Sequence, residues 1–312
     1  MAEADLQPGL VVAGHGRHVW VETSDGERRI CHPRGKKNAT VVGDEVLWKA
    51  SEDEGTIEKV QPRRNLLYRQ DEIRTKMFAA NLDLVLILIA AEPEFSEQQL
   101  ARALIAAEAE GIPALIALNK QDLGEPFSRA WDKLAPYRAM GYNVLPLALN
   151  PGNPQEASTD HVGLHALLSH MHGKKTLVLG PSGSGKSTLI NCLLPDADVL
   201  TNSISTALNS GKHTTTSTTL YWLDAAHRTG VMDSPGFQEF GLAHIAPQDL
   251  ASWMPDIRAH AQDCKFYNCT HLHEPGCGVI SALKSDVSPH GISANRYAIY
   301  STLHAELSQK RY

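Results

Sequence analysis

The chain has 312 residues, of which 35 are Asp or Glu and 29 are Lys or Arg, so its formal net charge is −6. This excess of acid excludes a whole-molecule electrostatic attraction to nucleic acid, and any RNA contact has to come from local basic patches. No apolar run reaches the length of a membrane span, and the first residues lack the pattern of a signal peptide. These features predict a soluble, cytoplasmic protein without a membrane partner, and the length predicts more than one domain.

Short β-like segments, separated by Gly and Asp, occupy the chain from Gly9 to about Tyr68. Five short strands in a segment of this length are typical of a small barrel of the OB type. Basic residues gather between these strands. They could form a solvated face, but on an OB barrel they more sharply predict RNA binding. The basic residues are Arg28, Arg29, Arg34, Lys36, Lys37, Arg63, Arg64, Arg69, Arg74 and Lys76.

A nearly continuous aliphatic run over residues 81–90 begins a different pattern. Such a run predicts a strand buried on both faces of a parallel sheet, as in a nucleotide-binding α/β domain. Ser96, with Gln99 in the capping-box position, is predicted to cap a helix that ends near Glu110. The strand over residues 114–118 would then place Asn119 at its carboxyl end, where ligands bind in open α/β sheets.

Asn119-Lys120-Gln121-Asp122 fits the N-K-x-D pattern of a guanine-binding loop. Guanine presents two adjacent donors, N1–H and the 2-amino group, which one carboxylate can accept together, whereas adenine does not. Asp122 is therefore predicted to select guanine, Asn119 to tie the loop to the phosphate-binding loop, and the stem of Lys120 to lie along the purine. The alternative interpretation is a helix-start cap after a strand.

A helix over residues 128–140 and a strand over residues 143–147 are predicted next, followed by a polar insertion over residues 150–160. The strand over residues 176–179 then leads into a phosphate-binding loop of the G-x-x-x-x-G-K-[ST] type, and a helix over residues 186–194 follows. In this loop the glycines allow close approach to phosphate oxygens, Lys186 would neutralise their charge, and Ser187 is the predicted Mg²⁺ ligand. The candidate phosphate-binding residues are Gly180, Pro181, Ser182, Gly183, Ser184, Gly185, Lys186, Ser187 and Thr188.

The N-K-x-D motif precedes the phosphate-binding loop, which is the reverse of the order in an ordinary GTPase. The third GTPase element, D-x-x-G, is Asp233-Ser234-Pro235-Gly236, in which Asp233 would hold Mg²⁺ through water and Gly236 would sense the γ-phosphate. One threonine of residues 214–216, within the Ser/Thr-rich residues 201–219, is predicted to close on Mg²⁺ and the γ-phosphate, and Thr215 is the one chosen here. Phe237 stands where Ras-like enzymes carry a water-orienting glutamine, so His213 or a partner is expected to supply that group, and hydrolysis by the protein alone is expected to be slow.

Three of the five cysteines lie close together with a histidine, as Cys264, Cys269, His271 and Cys277. Three thiolates and one imidazole form a complete tetrahedral set, which predicts structural zinc in a cytosolic protein. The histidine ligand could also be His273, and free buried cysteines are the alternative to a metal site. A helical pattern over residues 293–307 is predicted to pack against this cluster.

With these motifs together, the chain resembles the RsgA (YjeQ) family of circularly permuted GTPases. The resemblance covers nearly the whole length and includes the G-x-H-T-T-T pattern of residues 211–216, Phe240-Gly241-Leu242 after D-x-x-G, and the metal set with Glu274-Pro275-Gly276. The resemblance implies a multidomain fold: an N-terminal OB-fold β-barrel that binds RNA (residues 1–75), a central α/β circularly permuted P-loop GTPase domain (76–240), and a C-terminal α-helical zinc-binding domain (241–312). The implied protein is a monomer.

The implied function is GTP hydrolysis to GDP and phosphate during late maturation of the small ribosomal subunit, whose rRNA is the main contact and which stimulates turnover. The implied cofactors are one structural Zn²⁺ and Mg²⁺ with GTP. Three features depart from the family: Ser184 replaces a valine, Leu147-Ala148 replaces a Ser-Ala pair that supports guanine, and the loop over residues 150–160 is longer than expected. The rival interpretations are an ATP-using phosphotransferase and an RNA-binding zinc protein with nucleotide as a structural ligand.

Overall fold

The computed structural model describes residues 6–15, 18–34, 40–51, 54–71, 74–149, 162–194, 218–235, 240–284 and 291–309. Its strands are β1 Gln7–His15, β2 His18–Thr23, β3 Arg28–Pro33, β4 Glu45–Ala50, β5 Gly55–Val60, β6 Leu66–Gln70, β7 Thr75–Ala80, β8 Leu84–Ala90, β9 Ala114–Asn119, β10 Asn143–Pro146, β11 Lys175–Leu179, β12 Thr219–Trp222 and β13 Gly230–Asp233. Its α-helices are α1 Glu97–Ala109, α2 Glu125–Lys133, α3 Ala135–Ala139, α4 Leu164–Met171, α5 Lys186–Leu193, α6 Pro255–Ala261, α7 Gly278–Lys284 and α8 Ala294–Leu307. Within the described ranges, 3₁₀ helices span Gln121–Leu123 and Pro247–Trp253.

The first five strands form a closed barrel in the order β1-β2-β3-β5-β4, and β4 pairs again with β1. The β3–β5 pairing is parallel, whereas the other pairings in the barrel are antiparallel. Inward-facing side chains such as Val21, Trp48 and Ile57 are almost completely buried and fill the interior. This arrangement confirms the predicted five-stranded barrel of the OB type.

The second unit is an α/β sheet with the strand order β10-β9-β8-β11-β13-β12. All of its pairings are parallel except that of β12 with β13. Every residue of β8 is buried, as the aliphatic run predicted, because helices cover both faces of the sheet. One hydrophobic cluster includes residues of α1, α2 and α3, and the other includes residues of α4 and α5.

The segment predicted as one helix over residues 128–140 is instead two helices, α2 and α3. Pro136 explains the break, because proline lacks the N–H that would bond to the carbonyl four residues earlier in a continuous helix, and its ring clashes with that carbonyl. At the junction the Leu134 N–H bonds to the Trp131 carbonyl at 3.0 Å, which closes a tighter turn. The sequence reasoning also did not predict α4, β12 or the antiparallel hairpin β6–β7.

The hairpin β6–β7 and the loop before β4 connect the barrel to the α/β sheet. Asn81 follows β7, is 4% exposed, and its side-chain amide donates to the carbonyl of Gly43 at 2.9 Å. Gly43 has a φ of 91°, and a Cβ there would lie 2.1 Å from the Ala80 carbonyl oxygen, so the close approach requires glycine. Beside it, buried Asp44 accepts two hydrogen bonds from Arg63 at 2.7 and 2.8 Å. The domain limit at residue 75 stays a prediction, and β7, which begins at Thr75, pairs with β6 across it.

Buried residues of α6, α7 and α8 belong to the same hydrophobic cluster as the buried residues of α1. Ser293 caps α8 by accepting from the Arg296 N–H at 3.2 Å. Arg296 is 3% exposed, forms two hydrogen bonds with Asp256 of α6 at 2.7 and 2.9 Å, and lies 5.1 Å from the ring centre of Tyr137 on α3. A buried ion pair therefore joins α8 to α6, and the contact with the Tyr137 ring joins α8 to the α/β domain. Among the helices that the structure describes, none is long and apolar enough to cross a membrane.

Candidate nucleotide site and metal centre

Three predicted motifs meet at one edge of the parallel sheet. The N-K-x-D motif begins at the last residue of β9, the phosphate-binding loop follows β11, and Asp233 is the last residue of β13. Because these strands are parallel, their carboxyl ends lie at the same edge, where open α/β sheets bind ligands. The permuted motif order therefore still produces a single site.

Asn119 connects the two nucleotide-binding loops. Its side-chain amide donates to the Ser184 carbonyl at 3.0 Å, and its side-chain oxygen accepts from the Leu149 N–H at 3.1 Å. The residue is 3% exposed, so both polar groups are satisfied within the protein. Asn119 thus lies where the sequence reasoning expected a tie between the N-K-x-D loop and the phosphate-binding loop.

The rest of the N-K-x-D motif forms a turn in which Lys120 and Gln121 are half-buried and Asp122 is exposed. Lys120 has a φ of 69°, and its ammonium group donates to the Glu92 carbonyl. The Gln121 N–H donates to the Leu147 carbonyl at 2.9 Å, which fixes the turn against the segment after β10. Asp122 is exposed and therefore accessible to a base. Glu92 was not predicted, and no sequence signal marks a contact made through a backbone carbonyl.

The phosphate-binding loop depends on glycine for its shape. Gly185 has a φ of 97°, and a Cβ there would lie 2.3 Å from the Asn119 amide nitrogen. A Cβ on Gly180 would lie 2.6 Å from the Leu88 carbonyl oxygen. Side chains at these two positions would thus clash with the backbone of β8 and with Asn119, so the loop takes its phosphate-binding shape only with glycine there. Ser182, Gly183 and Ser187 are exposed, whereas Pro181 and Thr188 are half-buried.

Lys186 and Asp233 form an ion pair, with 2.9 Å between Nζ and Oδ1. The two side chains are 10% and 15% exposed, so the charges neutralise each other in a partly desolvated position. The structure thus brings together the predicted phosphate-binding lysine and the predicted magnesium-binding aspartate. Three further candidates, His213, Thr215 and Gly236, lie outside the described residues, as does Phe237.

Two buried serines near the site allow a matched test of stability. The Ser234 hydroxyl donates to the Val178 carbonyl at 2.8 Å, whereas the Ser184 hydroxyl has no hydrogen-bond partner within the described part of the chain. We expect Ser234→Ala to lower the free energy of unfolding by about 1–3 kcal/mol, because a buried hydrogen bond is lost. Ser184→Ala is expected to leave it unchanged or to raise it by up to about 1 kcal/mol. Urea denaturation of the nucleotide-free protein measures the free energy of unfolding of both variants. An equal loss in the two variants would contradict the conclusion that only the Ser234 hydroxyl forms a hydrogen bond.

The four predicted metal ligands come together in the C-terminal part. The sulfur atoms of Cys264, Cys269 and Cys277 and a ring nitrogen of His271 all lie within 4.8 Å of one another. The His271 Nδ1 atom is 3.3 Å from the Cys264 sulfur and 3.6 Å from the Cys277 sulfur. His273, the alternative ligand, is exposed and is not part of this cluster.

The chemistry of the cluster fits a tetrahedral zinc ion. The N–H of Gly278 points to the Cys264 sulfur at 3.3 Å and that of Ile280 to the Cys277 sulfur at 3.5 Å, contacts that favour thiolates. Burial lowers the pKa of His271, which favours the neutral imidazole that a metal binds. The residues present thus match the donor set of a closed structural site.

Residues around the cluster hold its loop in place. Burial opposes ionisation of Glu274, but hydrogen bonds from the Thr270 hydroxyl and nearby backbone N–H groups lower its pKa well below the ordinary range. The hydroxyl groups of Tyr300 and Tyr297 donate to the Thr270 and His271 carbonyls, both at 2.8 Å. These contacts confirm that the helix predicted over residues 293–307 packs against the cluster. The two tyrosines were not predicted as supports.

Comparison with known proteins agrees with this architecture. The RsgA GTPase family profile matches residues 60–243. The small ribosomal subunit biogenesis GTPase RsgA of Variovorax paradoxus (strain S110) is 69% identical over 307 residues, which are 98% of this chain and 94% of that protein. The protein of the same name from Paraburkholderia xenovorans (strain LB400) is 50% identical over 306 residues, 96% of this chain and 93% of that protein.

Solved structures show the same fold. The crystal structure of YjeQ from Thermotoga maritima has a TM-score of 0.73 and 28% identity, covering 98% of this chain and all of that one. The structure of YloQ, described as a circularly permuted GTPase, has a TM-score of 0.69 and 27% identity over the full length of both chains. The fold, the permuted order of the motifs and the matching family profile lead to one assignment: the chain belongs to the RsgA GTPase family.

Proposed function

We propose that this chain hydrolyses GTP to GDP and phosphate during late maturation of the small ribosomal subunit, and that the subunit stimulates turnover. One hydrogen bond carries this proposal: the side-chain amide of Asn119, in the N-K-x-D loop, donates to the Ser184 carbonyl of the phosphate-binding loop at 3.0 Å. The names of the similar proteins support the ribosomal role. The proposed partners are the subunit with its rRNA, and GTP or GDP.

The proposed roles come from the sequence motifs, and the placement of the described motif residues supports them. Asp122 would accept the guanine donors, with Asn119, Lys120 and Gln121 shaping its loop, while the backbone of residues 180–188 would bind the phosphates. Lys186 would leave Asp233 and neutralise phosphate oxygens once nucleotide enters. Ser187, Thr215 and Asp233 are the proposed Mg²⁺ ligands, His213 the proposed water-orienting group and Gly236 the proposed γ-phosphate sensor. When bound, Mg²⁺ would add positive charge at the β- and γ-phosphates.

The C-terminal cluster is the proposed site of one structural Zn²⁺, held by Cys264, Cys269, His271 and Cys277. The proposed unit limits are residues 1–75 for the RNA-binding barrel, 76–240 for the GTPase domain and 241–312 for the zinc-binding domain. We further propose that the chain acts in the cytoplasm as a monomer. Basic residues on the barrel and on hairpin β6–β7 would contact the rRNA backbone.

GTP turnover in the presence and absence of purified small ribosomal subunits tests the proposal. We expect slow turnover by the chain alone and at least tenfold faster turnover with subunits, since a partner would complete the water-positioning arrangement, an effect that reaches about 10³-fold to 10⁵-fold in other GTPases. A parallel competition assay should show that GTP displaces a fluorescent GDP whereas ATP does not. Displacement by ATP would favour a phosphotransferase, and a lack of stimulation would favour an RNA-binding protein with structural nucleotide.

A further inference from the structure

Arg102 on α1 joins two parts of the chain that are far apart in sequence. One of its terminal nitrogens donates to the Phe240 carbonyl at 3.3 Å and to the Glu306 carboxylate at 3.0 Å. Its second terminal nitrogen donates to the other carboxylate oxygen of Glu306. The Arg102 side chain is only 13% exposed, so these bonds form in a largely desolvated position.

Phe240 occupies a special place because it follows the D-x-x-G motif closely in sequence. It is 1% exposed, and its ring stacks on Phe78 with a centroid distance of 5.6 Å. The next residue, Gly241, accepts from the Gln70 N–H at 3.0 Å, and a Cβ on Gly241 would lie 2.5 Å from the Gln70 carbonyl oxygen. The backbone that follows the D-x-x-G motif is thus fixed from Phe240 onward, and Arg102 donates a hydrogen bond to the Phe240 carbonyl.

Glu306 lies on the last turn of α8, the helix that supports the metal cluster through Tyr297 and Tyr300. Its side chain is 42% exposed, so a partner that docks on this helix can reach or displace it. The same guanidinium therefore contacts a surface-accessible carboxylate and the backbone next to the γ-phosphate motif. A guanidinium suits this task because its planar fork can bond a carboxylate and a carbonyl together, whereas an ammonium group lacks that geometry.

We propose that Arg102 is a positioning residue for GTP hydrolysis, through which α8 sets the backbone that follows the D-x-x-G motif. The inference rests on the proposed function and deepens it, because it names a route by which a subunit bound to the C-terminal helices changes the rate at the nucleotide. Binding that displaces the Glu306 carboxylate moves the guanidinium of Arg102. That movement shifts the Phe240 carbonyl, which accepts a hydrogen bond from the same guanidinium. The route requires both hydrogen-bonding partners of Arg102.

The test measures GTP turnover with small ribosomal subunits for Arg102→Met, Arg102→Lys and Glu306→Gln. We expect Arg102→Met to lower the stimulated kcat about tenfold, within the usual range of coupling between sites, while the KM for GTP changes less than about twofold. The stoichiometry of GDP binding counts the folded sites, so kcat is expressed per competent molecule. The stimulated kcat of Arg102→Lys should lie between those of Arg102→Met and the parent. Glu306→Gln should lower kcat less than Arg102→Met does, and the variant that carries both changes should lose less than the sum of the two losses.

Arg258→Gln is the matched control. Arg258 of α6 also pairs with an acid of α1, Glu108, at 3.6 Å, but it is 52% exposed and does not contact Phe240 in the described structure. We expect the stimulated kcat of this variant to equal that of the parent. An equal loss in Arg258→Gln, or full stimulation of Arg102→Met, would overturn the inference alone. A parent chain that subunits do not stimulate would overturn the proposed function, and the inference with it.

Discussion

Replacement of Cys277 by serine is expected to abolish zinc binding and to unfold the C-terminal helices. Cys277 is 2% exposed and belongs to the cluster of four ligand atoms that lie within 4.8 Å of one another. Structural zinc contributes an apparent free energy of about 10–16 kcal/mol in small zinc domains at neutral pH, so loss of the site removes much of the local stability. Zinc content, measured with a colorimetric chelator, and thermal unfolding followed by circular dichroism check this expectation.

Two control variants make the zinc experiment specific. His273→Ala should retain zinc, because His273 is exposed and lies outside the cluster, whereas His271→Ala should lose it. Cys192→Ser should also retain zinc, since that half-buried thiol is on α5, far along the chain from the cluster. Normal zinc content in Cys277→Ser, or loss of zinc in His273→Ala, would contradict the ligand assignment.

The second large effect is expected for Asp122→Asn, which should change the base that the site accepts. A carboxylate accepts both donors of guanine, and hydrogen bonds to a charged group contribute about 1.5–3 kcal/mol each, so GTP affinity should fall about 10²-fold to 10⁴-fold. Xanthine carries a carbonyl oxygen where guanine has its amino group, and an Asn side chain can donate to it. We therefore expect the variant to bind xanthosine triphosphate more tightly than GTP. Equilibrium titration with fluorescent nucleotides measures both affinities.

Asp132→Asn is the control for Asp122→Asn. Asp132 is also exposed and lies on α2, close in sequence but outside the N-K-x-D motif. Its replacement makes the same charge change and should leave GTP affinity within about twofold, since an exposed charge at a distance is screened by salt. If Asp122→Asn kept the parent affinity for GTP, the base would have to be selected by other residues.

Local sequence patterns predicted the parts of the fold that depend on neighbouring residues. The phosphate-binding loop was predicted from glycine positions and motif spacing, and the aliphatic run over residues 81–90 identified the central strand. Hairpin β6–β7 was missed because Arg69, Arg74 and Lys76 were interpreted as basic residues between barrel strands. The break between α2 and α3 could have been read from Pro136.

Contacts between distant parts of the chain could not be predicted in this way. Arg102 and Glu306 are separated by 204 positions, and the partners of the Asn81 side-chain amide are likewise fixed only by tertiary packing. A single sequence shows that such residues are polar or charged, but it does not show which of many possible partners burial will select. The same holds for Arg296, whose pairing with Asp256 depends on how α8 docks.

The pairing of β1 with β12 has a consequence for solubility. β12 is the last strand of the α/β sheet, and strand edges of this kind expose unpaired backbone groups that can recruit another chain. Here β1 of the barrel pairs antiparallel with β12, with Ala13 opposite Thr219. The opposite edge, β10, is four residues long and ends at Pro146, which has no N–H to offer a neighbouring strand. The barrel strand and the proline each remove part of an edge that could otherwise pair with another chain.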